Sequence, residues 1–241
     1  MKKGTVITII IILIVVALAW WFYAATSNNQ MASVPPTSTS TTSGGTGTAL
    51  TTPSGAPFDQ NITNGAITLQ YPSADFTAVE TSSQITAVSY IPPCDPSFNY
   101  CLYYINTSTY AHTNFESAGL RIQDRTDLTT QAQCLNTSPT GFTGATSTVA
   151  SSSDYATSIF PNVGGAAAGH FASGALYRLY YPTTGACYEF ETRIGQSDYE
   201  NYPSGTIGQF TTSDESAVQG ELQEILGTVT LSDGTAVTWP Q

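Results

Sequence analysis

Hydrophobic and polar positions divide the chain into three stretches with different rhythms. The first is continuous: from Thr5 to Tyr23 no charge interrupts Ile, Val, Leu and Ala, and the run closes on Trp20, Trp21, Phe22 and Tyr23. As a helix this run spans about 28 Å, close to a bilayer's hydrocarbon core. It predicts a transmembrane helix over about 5–23 within an N-terminal anchor at 1–31. Lys2 and Lys3 precede the run and no Lys or Arg follows until Arg121. The N-terminus is therefore expected in the cytoplasm and the remainder outside. The rival is a signal peptide cleaved after Ala19, since Ala17-Leu18-Ala19 has the small-x-small form. The aromatic residues from Trp20 to Tyr23 weigh against it. The second stretch has no rhythm: 20 of the 23 residues from Pro35 to Pro57 are Ser, Thr, Gly or Pro. Such a segment buries no face, so 32–57 reads as a flexible linker.

The third stretch, 58–241, alternates over short runs. Ala66–Tyr71, Phe76–Glu80, Ile85–Ile91, Cys101–Ile105, Gly119–Gln123, Ala175–Tyr181 and Ala186–Arg193 carry β-branched and aromatic residues between turn-forming ones. Thr140–Ser153 is small and polar, and reads as a long loop. Leu176–Tyr181 and Ala186–Arg193 flank Pro182-Thr183-Thr184-Gly185 and fix a hairpin register. Tyr177 then faces Phe190, Leu179 faces Tyr188, and Arg178 faces Glu189 on the other side. Near the C-terminus Val218, Leu222, Ile225 and Leu226 recur at helical spacing, with Glu221 and Glu224 pointing away. Thr212-Ser213-Asp214-Glu215 reads as the capping box, with Thr212 as N-cap, and Gly227 as the stop. Asp233-Gly234 marks a closing hairpin. A second, shorter helix falls at Leu128–Leu135. The expected class is α+β, a mainly antiparallel sheet covered by the C-terminal helix; an all-β sandwich with one peripheral helix is the alternative.

Two segments carry a family resemblance. Ile67-Thr68-Leu69-Gln70-Tyr71-Pro72 resembles the opening strand of PsbP-type α/β/α sandwich domains. Glu221-Leu222-Gln223-Glu224-Ile225-Leu226 with Thr228–Leu231 resembles their closing helix and strand. The likeness implies such a sandwich, of the kind carried by membrane-anchored bacterial proteins, and little about activity.

Charge and cysteines narrow the setting. All 17 acidic residues lie in 58–241, against four basic ones: Arg121, Arg125, Arg178 and Arg193. Nucleic acid is excluded as a partner, because phosphate binding needs clustered cations. Cys94, Cys101, Cys134 and Cys187 show no CxxC spacing, so zinc is not expected. In an exported domain they read as two disulfides. The short turn-rich loop closes Cys94–Cys101, which leaves Cys134–Cys187.

No GxSxG, P-loop, HExxH or EF-hand pattern is present. His112 and His170 are isolated in sequence, Gly164–Gly169 lacks the strand and helix of a phosphate loop, and Asp124 with Asp127 lacks calcium-ligand spacing. No catalytic residue, cofactor or metal is assigned. Glu189 and Glu191 share one strand face, where carboxylates are usually solvated or paired. Thirteen tyrosines fall in 58–241; Tyr103, Tyr104, Tyr180 and Tyr181 are the candidate ligand-contact aromatics. Sheet-face packing is the simpler role for them. The expected function is a non-enzymatic, single-pass membrane-tethered domain that binds or scaffolds a cell-surface protein or glycan. A surface hydrolase with a carboxylate or His site is the first alternative. A subunit of a surface filament or secretion complex is the second.

Overall fold

Side-chain alternation along paired strands gives this molecule two unlike faces on one sheet. A computed structural model describes residues 55–79, 92, 94, 98–142 and 145–240. All fall within the unit Leu50–Gln241. The anchor expected over 1–31, most of the linker and the strand expected at Ile85–Ile91 lie outside the described residues. No helix among the described residues is long and apolar enough to cross a membrane.

The strands are β1 Gln60–Asn64, β2 Ile67–Tyr71, β3 Phe76–Val79, β4 Tyr100–Tyr104, β5 Phe115–Asp124 and β6 Thr148–Ser151. They continue with β7 Ala156–Phe160, β8 Gly165–Ala167, β9 His170–Ser173, β10 Leu176–Tyr181, β11 Ala186–Ser197 and β12 Thr230–Leu231. The helices are α1 Gln131–Asn136 and α2 Thr212–Leu226. The large sheet runs β3-β4-β5-β11-β10-β7-β6, with the β8–β9 hairpin on the far end of β11; β1-β2-β12 form a small sheet. Every strand pair is antiparallel.

The expected α+β class is corrected: the fold is predominantly antiparallel β, with two α-helices among the described residues. The difference comes from β1, β6, β7, β8 and β9, whose sequences are too small or polar to register as strands. Their backbone bonds to neighbours hold them, not a hydrophobic rhythm of their own. Thr148–Ser151, read as loop, pairs with β7 while its four residues stay exposed.

The β10–β11 hairpin has the register expected of it, Tyr177 against Phe190, Leu179 against Tyr188 and Arg178 against Glu189. Gly185 closes it at φ +70°, a conformation that costs glycine little. The inward face carries Leu120, Ile122, Tyr177, Leu179, Phe190 and Ile194. These pack with Val218, Leu222 and Ile225 of α2 and with Ile67 and Leu69 of β2 in one core. The two helices lie on opposite faces, since α1 packs on β10 and β7 beside Cys187, away from that core.

Two details of α2 differ from expectation. The N-cap is Thr211, not Thr212: its hydroxyl accepts from the Asp214 N–H while the Asp214 carboxylate accepts from the Thr211 N–H. Glu215, one place further on, is left to accept from Ser173. Glu221 does not point away. It stands three residues after Val218 and four before Ile225, on the inward stripe, and is 8% exposed. Its Oε2 has no hydrogen-bond partner, and Asp75 beside it, 3% exposed, has an unpartnered Oδ2. Burial, then the charges of Asp75 and Glu224, push the Glu221 carboxyl from 4.5 up to about 7.

The native state thus holds a proton that the unfolded chain releases near 4.5. Below that pH the carboxyl costs nothing; as pH rises towards 7 stability falls, and the full cost persists above. Glu221→Gln is expected to raise unfolding stability at pH 8 by about 1–3 kcal/mol, the gain vanishing below pH 4.5. Urea titrations at both pH values measure it, and equal stability at pH 8 would contradict the assignment.

Candidate functional site

The outward face of the large sheet gathers all four arginines of 58–241. β5 contributes Arg121 and Gln123, and Arg125 follows its end. β10 contributes Arg178, and β11 contributes Glu189, Glu191 and Arg193. Alternation puts them on one side, and register aligns them across strands. One row runs Ser158–Arg178–Glu189–Gln123, the next Phe160–Leu176–Glu191–Arg121–Cys101.

Arg178 is the floor of this face, with a side chain 0% exposed. Its Nε donates to Glu189 Oε2 at 2.7 Å, and its Nη1 donates to the carbonyls of Cys134 (3.1 Å) and Thr137. Its guanidinium lies 5.1 Å from the centre of the Phe160 ring. Burial lowers the Arg178 pKa, and Glu189 works against that shift. Glu189 Oε2 also accepts from Arg125 Nη1 at 2.6 Å. Arg125 grips Asp127 with Nε and Nη2 at 2.9 and 2.8 Å, a two-pronged pair that raises the arginine's pKa and lowers the aspartate's.

The opposite end of the face is looser. Glu191 stands between Arg121 and Arg193 at 3.4 and 3.5 Å. Arg121 donates from Nη2 to the Pro92 carbonyl at 2.9 Å and lies 4.8 Å from the centre of the Phe98 ring. Arg193 Nε is buried with no hydrogen-bond partner. Between these groups lies a cavity of about 530 Å³, walled on its apolar sides by Phe98, Phe142 and Leu176.

Both disulfides hold the walls. Cys94–Cys101 and Cys134–Cys187, the two pairings expected, each have Cα atoms 5.7 Å apart. The first ties the segment containing Pro92 and Phe98 to β4, next to Arg121. The second ties α1 to β11, where the Cys134 carbonyl receives Arg178. Closing a 53-residue separation, it stabilises the fold by about 4 kcal/mol on the chain-entropy account. Such bridges belong to a domain that folds in an oxidising, extracellular-type compartment.

The other sequence candidates lie elsewhere. Tyr104 and Tyr181 are buried in the core and Tyr180 packs beside α1, while Tyr103 is half-buried on β4. Strands β5 and β11 separate the first tyrosine pair from the second. His112 is exposed. His170 Nδ1 pairs with Glu116, and Ser173 donates to Glu215. Three residues apart on β9, these two side chains leave opposite sides of the strand, so they diverge rather than converge. Asp124 accepts from Asn64 at 2.8 Å and Asp127 is engaged by Arg125. No group of three or more His, Cys, Asp or Glu among the described residues is placed to hold a metal. Gly165–Ala167 forms β8, and Ala168 and Gly169, both at positive φ, make the β8–β9 hairpin turn.

Sequence reasoning paired Arg178 with Glu189 but missed the groove. Its signal was the strict alternation of Arg121 with Gln123 and of Glu189, Glu191 and Arg193 on expected strands. Comparison with protein-family models, curated proteins and solved structures finds no match.

Removing one partner of a buried ion pair strands the other. Glu189→Ala leaves Arg178 without its carboxylate and is expected to cost about 3–5 kcal/mol of stability. Urea-unfolding midpoints followed by circular dichroism measure this. A loss under 1 kcal/mol would show that the pair does not organise the face.

Proposed function

We propose that the chain is a membrane-tethered extracytoplasmic binding domain, non-enzymatic, whose ligand-contact surface is the arginine-lined groove. One observation carries this reading. A domain with 17 acidic residues and four cations places all four cations on one face. Packing does not demand that arrangement, because acidic residues are spread throughout 58–241 and offer partners elsewhere. The disulfide-held walls supply the rigidity that a recognition surface needs.

The anchor at 5–23, with Lys2 and Lys3 on its cytoplasmic side, and the linker at 32–57 complete the reading: the domain is displayed at a distance from the membrane. The expected ligand is a cell-surface protein or glycan. The proposed PsbP-type kinship rests on two segments that meet in the small sheet, where β12 pairs with β2; it adds a framework and no activity. Glu189 and Asp127, engaged by arginines at 2.6–2.9 Å, are poorly placed as catalytic acids or bases, which weighs against the hydrolase.

The full chain in detergent micelles, probed on peptide and glycan arrays, tests the reading. Thr140 is exposed on the groove wall, and Thr140→Trp fills the space without touching the ion pairs. Capture by this variant is expected to be at least tenfold below that of the native chain. Unchanged capture would remove the groove from the account.

A further inference from the structure

The groove is chemically graded along its length. Towards Asp127 the Arg125 donors are spent, with Nε, Nη1 and Nη2 on Asp127 and Glu189 at 2.6–2.9 Å, while the Nη2 of Arg178, buried beneath them, has no partner. Towards Glu191 the donors of Arg193 are not all engaged. Arg193 makes an ion pair of 3.5 Å, its side chain is 28% exposed, and its Nε is buried without a partner. A guanidinium presents its donors as a planar fork matched to two oxygens on one carbon or phosphorus. An unspent fork at the open end of a cavity is a receptor for an oxyanion.

Charge decides which oxyanion. Arg121, Arg125 and Arg193 line the cavity together with Asp127, Glu189 and Glu191, and Arg178 lies beneath. Among the described residues the surplus is a single positive charge. A carboxylate neutralises it, whereas a phosphate dianion would set excess negative charge beside Glu191 in a partly desolvated site. The walls decide what carries the carboxylate. Phe98 stands over Arg121 at one end of the Arg121–Glu191–Leu176 row, and Phe142 packs with Leu176 at the other. These surfaces favour an apolar side chain, and among the described residues Gln123 and Thr140 are the uncharged polar side chains on the lining. A saccharide's hydroxyls would find few partners there.

Resting on the reading of the groove as the ligand-contact surface, we propose that Arg193 anchors the C-terminal carboxylate of a peptide. The peptide's last, apolar side chain lies between Phe98 and Phe142. Arg121 and Glu191 border the carboxylate, and Gln123 faces the peptide backbone. The ion pairs of Glu191 with Arg121 and Arg193 are long, at 3.4 and 3.5 Å.

The test uses the full chain in detergent micelles and N-terminally fluorescein-labelled tetrapeptides ending in Phe, Leu or Ser. Each is made as the free acid and as the C-terminal amide, and binding is followed by fluorescence polarisation. The free acids ending in Phe and Leu are expected to bind at least tenfold more tightly than their amides and than the Ser peptide. Arg193→Gln is expected to lose that tenfold preference for acid over amide, and Arg193→Lys to recover part of it. Inorganic phosphate at matched ionic strength is expected not to compete.

Equal binding of acid and amide, competition by phosphate, or an unaltered preference in Arg193→Gln would each overturn the inference. So would binding of a glucuronate oligosaccharide in place of the peptides, or no peptide binding at all. The Thr140→Trp variant separates the two levels. If it abolishes capture while acid and amide bind alike, the groove stands and the carboxylate falls. If it leaves capture unchanged, the groove falls as well.

Discussion

A guanidinium with no exposed surface, Arg178, has to be held in place by something, and Glu189 opposite it on the neighbouring strand is what holds it. Most of the outward face follows from that pair. Glu189 also receives Arg125, which fixes Asp127 and the chain leaving β5. Arg178 reaches across to the Cys134 and Thr137 carbonyls and so fixes the C-terminal end of α1. A helix of six residues has little cohesion of its own. It is held by its Thr130–Gln133 capping box, by the Cys134–Cys187 bridge and by the arginine beneath it.

The two faces of the large sheet divide the work. The inward face, with α2 and the small sheet, supplies the apolar burial that stabilises the fold. The outward face is apolar only where α1 and the segment around Phe142 cover it, in two small clusters. Between those covers and the segment tied down by Cys94–Cys101, the sheet is open and lined with charge. Both disulfides lie on this side. Cross-links placed away from the main core point to a surface whose shape matters and which packing alone would not hold.

How much of this was legible in the sequence depended on whether a residue's neighbours in the chain were also its neighbours in space. The β10–β11 register could be read residue by residue, because a four-residue turn leaves one alignment that keeps Tyr177, Leu179 and Phe190 on the same side. The Cys94–Cys101 disulfide followed from its short loop, and Cys134–Cys187 by elimination. The N-cap of α2 was misplaced by one residue because Thr211-x-x-Asp214 and Thr212-x-x-Glu215 are overlapping capping boxes, and only the backbone's turn at Thr211 separates them. Glu221 was read as exposed because its charge outweighed its position on the inward stripe. β1, β6, β7, β8 and β9 stayed hidden because ladder hydrogen bonds define them. The groove was the hardest feature to see. Arg121, Arg178 and Arg193 come from three strands, and only the order β5-β11-β10 brings them together.

The claim that the Arg178–Glu189 pair organises the outward face is tested most directly by a double-mutant cycle in urea unfolding. The cycle compares Arg178→Met, Glu189→Met and the double variant. The account predicts strong coupling: Glu189→Met strands the buried Arg178, Arg178→Met leaves Glu189 to Arg125 alone, and the double variant removes the buried pair together and recovers part of the loss, with a coupling of about 2 kcal/mol or more. Additive losses, with the double variant as unstable as the two singles combined, would contradict it.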